Sequence, residues 1–245
     1  MAEQATLSIY RGDNHAGEMV DYTVPLQPGM VVLDAVHALQ ASQASDLACR
    51  WNCKAGRCGS CGAEVNGKPR LLCMDRMDKY PPGEPISIRP MKTFPVLKDL
   101  ACDVSWNYKV NRRIPAFKPR AGTDWRFSQA EADRVQEFRK CIECFLCQNV
   151  CHVLREHRQE ASFGGPRFFV RLAGLEMHPI DGEDRSALIK GEMGIGFCNI
   201  TKCCTEVCPE SIQITDNAII PLKERIVDRY YDPVLWLWRK LTGRK

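Results

Sequence analysis

Apolar and polar residues alternate at the start of the chain. "ATLSIY" and the β-rich "VDYTV" predict two strands. In "VLDAVHALQ" the period changes: Leu33, Val36 and Leu39, or Leu33, His37 and Gln40, recur at helical spacing, so a short amphipathic helix is expected. "AEVNGKPRLLC" then sets Asn66-Gly67 between two short runs, a type I′ hairpin signal, and "PISIRP" supplies another strand. A small mixed sheet crossed by one helix accommodates this half. The later half carries helical signals. Ser128 to Glu131, "SQAE", has the form of a capping box, and Val135 and Phe138 continue an apolar face toward Cys141. Pro166 opens a run with Phe169, Leu172 and Leu175 on one face, while Pro221 and Pro233 mark two more helix starts. These stripes are expected to pack as core. Between the halves, "YKVNRRIPAFKPRAG" (Tyr108 to Gly122) is basic, aperiodic and broken by Pro115 and Pro119, which predicts a connector. The expected class is α+β, with a boundary near residue 105 separating domains over 1–105 and 106–245.

A chain of 245 residues suits one large domain or two small ones, either able to bury a core without covalent staples. Its 14 cysteines therefore need another explanation. No apolar run reaches membrane-spanning length, and "MAEQATLSIY" has neither the basic nor the apolar region of a signal peptide. The chain is expected in the cytosol, where thiols stay reduced and cysteine clusters bind metals or act in catalysis. The net charge of +4 is small and dispersed, unlike the basic footprint of a nucleic-acid binder, so no nucleic-acid partner is expected.

Cys53, Cys58 and Cys61 give C-x4-C-x2-C, followed by Cys73, the plant-type spacing for a 2Fe-2S cluster. Gly56, Gly59 and Gly62 allow the backbone to wrap closely and aim N–H groups at sulfur, and Arg57 adds a positive charge that favours the reduced cluster. Ordinary structural zinc sites, the alternative, use two C-x2-C-like pairs. Cys49 and Cys102 fall outside the spacing and read as small buried residues. "KCIECFLCQNVC" then places Cys141, Cys144, Cys147 and Cys151 at C-x2-C-x2-C-x3-C. In two-cluster ferredoxins the first three such cysteines wrap one cubane and the fourth ligates the other. "FCNITKCCTEVCP" supplies the missing corner as Cys208, before Pro209, completing a 4Fe-4S set with Cys141, Cys144 and Cys147. Cys198 and Cys204 remain to join Cys151. Thr201 stands where a fourth corner would fall, so a 3Fe-4S cluster on Cys151, Cys198 and Cys204 is expected. Cys203 is one residue out of phase and reads as a bystander, with ligation after a loop rearrangement as the alternative.

A plant-type 2Fe-2S half joined to a bacterial-type two-cluster half resembles the iron-sulfur subunit of succinate dehydrogenase and fumarate reductase. "FPVLKDL" (Phe94 to Leu100) resembles that family's segment between the halves. The resemblance implies an N-terminal plant-type ferredoxin (β-grasp) domain and an all-helical bacterial two-cluster ferredoxin-like domain. It further implies a wire that starts at a flavoprotein partner with covalent FAD. Electrons would pass the 2Fe-2S, 4Fe-4S and 3Fe-4S clusters toward quinone through a membrane anchor, at the cytoplasmic face of the bacterial cell membrane. No substrate-converting site is expected on this chain, which has no G-x-G-x-x-G opening a helix after a strand. A heterodisulfide reductase or another flavoprotein-linked reductase would use a similar wire, and a zinc-stabilised interaction module is a reading from another class.

His15, His37, His157 and His178 carry no motif and read as surface or core groups, while His152, next to Cys151, is placed to tune its cluster by hydrogen bonding. The tail mixes Trp236 and Trp238 with Arg239, Lys240, Arg244 and Lys245. It either packs on its own domain or meets an anchor at the membrane surface, and is too short to span a bilayer. In the family's commoner pattern a proline follows the fourth cysteine of the first run, a tryptophan lies a few residues later, and a histidine follows the first cysteine of the last group. Here those places read Cys151-His152, "VLRE" and Cys198-Asn199. In the family that tryptophan and histidine help form the quinone pocket. The acceptor site is therefore expected mainly or wholly in the membrane subunit, with Asn199 and His152 as polar contacts at its edge.

Overall fold

A computed structural model describes residues 4–242 and divides the chain into two compact units. The first runs to Trp106 and also takes in Ile142–Val150 and Val207–Glu210; the second holds Asn107–Cys141, Cys151–Glu206 and the chain from Ser211 onward.

In the first unit, β1 (Gln4–Gly12) and β2 (Gly17–Pro25) pair antiparallel along their whole length, from Gln4 opposite Pro25 to Gly12 opposite Gly17. They belong to a five-stranded sheet with β3 (Gly62–Val65), β4 (Lys68–Leu71) and β5 (Ile86–Arg89), in the order β2-β1-β5-β3-β4. The β1–β5 pairing is parallel. Asn66 and Gly67, at φ 46° and 75°, make the turn that returns β3 into β4, the positive φ pair that a type I′ hairpin requires. Helix α1 (Val32–Ser42) buries Val32, Leu33, Ala35, Val36 and Leu39 in the core. Its first N–H groups have no partner inside the helix. Val32 N–H donates to the Asp75 carbonyl at 2.8 Å and Leu33 N–H to the Leu72 carbonyl at 3.0 Å, which fixes the stretch carrying Cys73. A small pair, β6 (Val96–Lys98) and β7 (Ala101–Cys102), follows.

The second unit is helical. Apart from the isolated bridge between Pro119 and Asp181, no strand pairing occurs among its described residues. The connector expected from Tyr108 to Gly122 is partly helical, because α2 spans Ser105–Arg112. Asn107 and Val110 are fully buried one turn apart, and a polar residue in the inward position conceals the face from a periodicity reading. Ser128 caps α3 (Gln129–Gln136) reciprocally with Glu131, and a 3-10 turn then carries the chain to Cys141. The short helix α4 (Leu146–Val150) belongs to the first unit; in the second, α5 (His152–Arg155) is followed by α6 (Pro166–Glu176), which buries Phe168, Phe169, Val170 and Leu172, with Phe163 edge-on to Phe169. Two short helices follow, α7 (Ser186–Lys190) and α8 (Cys203–Glu206). Pro221 stands in the first turn of α9 (Ile220–Tyr230), as expected, and a π turn over Ile214–Ile219 runs directly into that helix. Proline removes one backbone donor, and the turn before it widens. The last helix, α10, spans Pro233–Thr242.

Arg185 ties the rest of the connector to this unit. Its side chain is fully buried and donates to the carbonyls of Pro115 and Ala116 at 2.9 and 2.7 Å, and to Asp181 at 3.0 Å and Glu176 at 3.4 Å.

Candidate functional site

The first thiols stand on a loop folded through left-handed conformations. Lys54, Gly56 and Gly59 have φ of 53°, 68° and 68°. Such residues turn successive N–H groups toward one point, forming an anion-binding concavity. Ala55 and Arg57 N–H groups accordingly donate to Cys53 Sγ at 3.4 and 3.2 Å. Burial raises the Cys58 thiol, but hydrogen bonds from the Cys53 and Ser60 backbones and the Ser60 hydroxyl outweigh it and bring Cys58 down to about 6. A thiolate at neutral pH is the form that ligates iron. Cys61 is pushed up to about 12, by burial first, with the neighbouring Cys73 and Cys58 thiols adding to the rise. The hairpin explains that neighbour: Gly62 pairs with Leu71, and Leu72 N–H donates to the Cys61 carbonyl at 3.0 Å, so Cys61 and Cys73 end the same two strands. Cys53 thus lies beside Cys58, and Cys61 beside Cys73.

Gly59 has no room for a side chain. A Cβ there would sit 2.6 Å from the Cys144 Cα, so this loop and the second cysteine run meet backbone to backbone. Cys144 and Cys147 are buried in the first unit, and Cys144 stands between Glu143 and Phe145 at φ 57° and 61°. Phe145 packs edge-on against Phe94, and Asn149 anchors the segment with its Oδ1 accepting from Thr93 N–H at 3.0 Å and its Nδ2 donating to buried Glu64 at 2.8 Å. Cys208 belongs to this unit as well, while Cys141 ends a segment of the second. Arg57 lies 3.7 Å from Glu210, whose carboxylate offsets the positive charge that the sequence assigns to this loop.

Cys151, Cys198, Cys203 and Cys204 gather in the second unit. Burial pushes Cys151 up to about 12 and Cys204 up to about 11, and each also feels the thiols of Cys203 and Cys198. Cys203 is therefore brought beside the three expected ligands, with its Sγ 3.3 Å from the Thr201 hydroxyl. The loop again carries left-handed residues, Ile200 and Lys202 at φ 61° and 62°. Among the described residues nine non-glycine positions have positive φ, and five of them (Lys54, Glu143, Phe145, Ile200, Lys202) lie in the three cysteine segments. Strain of this kind concentrates where a ligand dictates the backbone. The π turn presents the Thr215 hydroxyl 3.5 Å from Cys204 Sγ, a partner that sequence spacing gives no sign of.

Among the described residues no three His, Cys, Asp or Glu side chains converge tightly enough for a single metal ion. A cluster is wider, because its thiolates bind different irons. Cys102 is buried as expected and Cys49 only partly so, and burial pushes their thiols up to about 11 and about 12. His15, His152, His157 and Asn199 are exposed. His37 packs edge-on against Trp51, with burial and then Lys54 lowering its proton affinity. Trp238 is 46% exposed on α10. Arg244 and Lys245, and the side chains of Trp236, Arg239 and Lys240, lie outside the described residues. No helix among the described residues is long and apolar enough to cross a membrane.

Residues 6–109 match the family described as 2Fe-2S iron-sulfur cluster binding domain, and residues 137–212 match that described as 4Fe-4S dicluster domain. A fumarate reductase iron-sulfur subunit of Mycobacterium tuberculosis (strain CDC 1551 / Oshkosh) is 30% identical over 205 residues, covering 78% of this chain and 79% of that protein. The succinate dehydrogenase iron-sulfur subunit of Bacillus subtilis (strain 168) is 26% identical, covering 89% of this chain and 91% of its own. A chain of the structure described as Mycobacterium smegmatis Sdh1 complex in the apo form superposes with a TM-score of 0.92 at 56% identity, covering 96% of this chain and 100% of that one. Cysteine spacing, nested backbones and these likenesses agree: the chain belongs to the family of iron-sulfur electron-transfer subunits of succinate dehydrogenase and fumarate reductase.

Proposed function

We propose that this chain carries electrons from an FAD-bearing flavoprotein subunit toward quinone through a membrane anchor, in the direction of succinate oxidation, at the cytoplasmic face of the membrane. The ligand sets proposed are Cys53, Cys58, Cys61 and Cys73 for 2Fe-2S; Cys141, Cys144, Cys147 and Cys208 for 4Fe-4S; and Cys151, Cys198 and Cys204 for 3Fe-4S, with Cys203 a bystander. When bound, such clusters supply one-electron redox chemistry. The chain's own part is ligation, spacing and shielding. The observation that carries the reading is the contact at Gly59, where the Cys58 loop lies directly against Cys144. The next interval is short for a covalent reason: Cys151 follows Cys147 by only four positions, so their Cα atoms are at most about 14 Å apart.

The direction rests on the likeness to the Bacillus subtilis subunit and the Mycobacterium smegmatis complex. Partner-facing surfaces are supported by exposed apolar side chains beside the outer thiols. Trp51 and Met74 are 47% and 56% exposed near the first loop, and Phe197 and Ile200 flank and follow Cys198 at 52% and 39%. On α10, exposed Val234, Leu237, Trp238 and Leu241 recur at i, i+3, i+4 and i+7, a stripe suited to an anchor at the membrane surface. His152 and Asn199 are both exposed polar residues next to proposed ligands of the last cluster, and we place the acceptor site mainly in the anchor, with these two at its edge.

Iron and acid-labile sulfide analysis tests the cofactor assignment. About nine irons and ten sulfides per chain are expected, whereas zinc without sulfide would refute it. In the assembled complex, replacing His152 and Asn199 together by alanine should lower succinate-to-quinone turnover only slightly. A collapse of quinone affinity with intact clusters would put the pocket on this chain instead.

A further inference from the structure

Helix α6 and the connector help line an open cavity of about 600 Å³ on the second unit, a volume suited to a small organic molecule. One side is aromatic. Phe117 and Phe127 stand edge-on to His178, with ring centroids 5.0 and 5.7 Å away, and Trp125 joins the lining while remaining 66% exposed. Burial, then Arg139, holds His178 below its ordinary value, so at neutral pH it serves as a neutral ring. The other side is cationic: Arg139, Arg167 and Arg171 line it, and among the described residues no carboxylate does. Arg171 Nε is buried with no hydrogen-bond partner. An unsatisfied buried donor is unfavourable, and an acceptor entering the cavity would relieve it.

Gly174, in the middle of α6, also lines the cavity. A Cβ there would meet only Phe138, at 3.5 and 3.8 Å, which is ordinary contact, and its φ is not among the positive ones. Alanine would fit and would suit the helix better. What the glycine preserves is open space.

We propose that this cavity binds a small organic anion with a flat apolar body, its charged head on Arg139 and Arg171 and its body against Phe117, Phe127 and His178. Charge-assisted hydrogen bonds to guanidinium give the head its selectivity, and the aromatic wall selects the flat body. Cys141 lines the same cavity, so the bound molecule lies next to the first thiol of the second cysteine run.

Calorimetric titration of the full chain carrying its clusters tests this, with 2-naphthoate as the probe and 2-naphthamide as its neutral counterpart. One site per chain is expected, with the amide bound at least about tenfold more weakly. Arg171→Gln should weaken naphthoate binding about tenfold, and Gly174→Leu should abolish it. No binding at millimolar naphthoate, equal affinity for acid and amide, or affinity untouched by both substitutions overturns the proposal. If Gly174→Leu fails to assemble its clusters, Arg171→Gln and the acid–amide comparison decide.

Discussion

At Gly59 a hydrogen in place of a methyl group decides whether two cysteine segments can meet, because any Cβ would overlap the Cys144 backbone. Nearby, the Cys53 sulfur takes two backbone N–H groups and the Cys58 thiol sits at about 6, so residue-level geometry favours thiolate at two of the proposed ligands. The most distant proposed ligand gives the sharpest test at this scale. Cys208 lies far along the chain from Cys144 and Cys147, yet Val207–Glu210 folds into the same unit as they do. Cys208→Ser should therefore remove the 4Fe-4S signal in electron paramagnetic resonance and leave the 2Fe-2S signal in place. Loss of the 3Fe-4S signal alone would reassign the residue.

Elements differ in how far a sequence discloses them. The Asn66-Gly67 hairpin and the Ser128 capping box are local, each depending on the φ preferences or hydrogen bonds of adjacent residues, and both are legible. Candidate cysteines are legible for the same reason, since ligand spacing is a local property. Helix α2 is hidden because Asn107 fills a buried slot, and the π turn before Pro221 is hidden because π turns have no short-range signature. Asn149 with Glu64, and Thr215 with Cys204, join positions distant in sequence, and nothing local foretells them. Arg185 is another such case. It holds two connector carbonyls and two buried carboxylates, so Arg185→Leu leaves Asp181 and Glu176 without their counter-charge. A loss of about 3–5 kcal/mol is expected in urea denaturation of the cluster-loaded chain. A change below about 1 kcal/mol would mean that the connector is held by something else.

For the whole molecule, family membership fixes an electron-transfer role, and the proposed ligand segments are where left-handed backbone is concentrated. A zinc-stabilised module would hold the same cysteines but would have no redox-dependent spectrum. The central claim is a three-cluster wire, and electron paramagnetic resonance of the intact complex tests it most directly, recorded as isolated and after succinate or dithionite. Three distinct iron-sulfur signals are expected: an oxidised 3Fe-4S centre in the isolated state, with 2Fe-2S and 4Fe-4S signals appearing on reduction. Silence in every redox state from a complex that contains this chain would contradict the account.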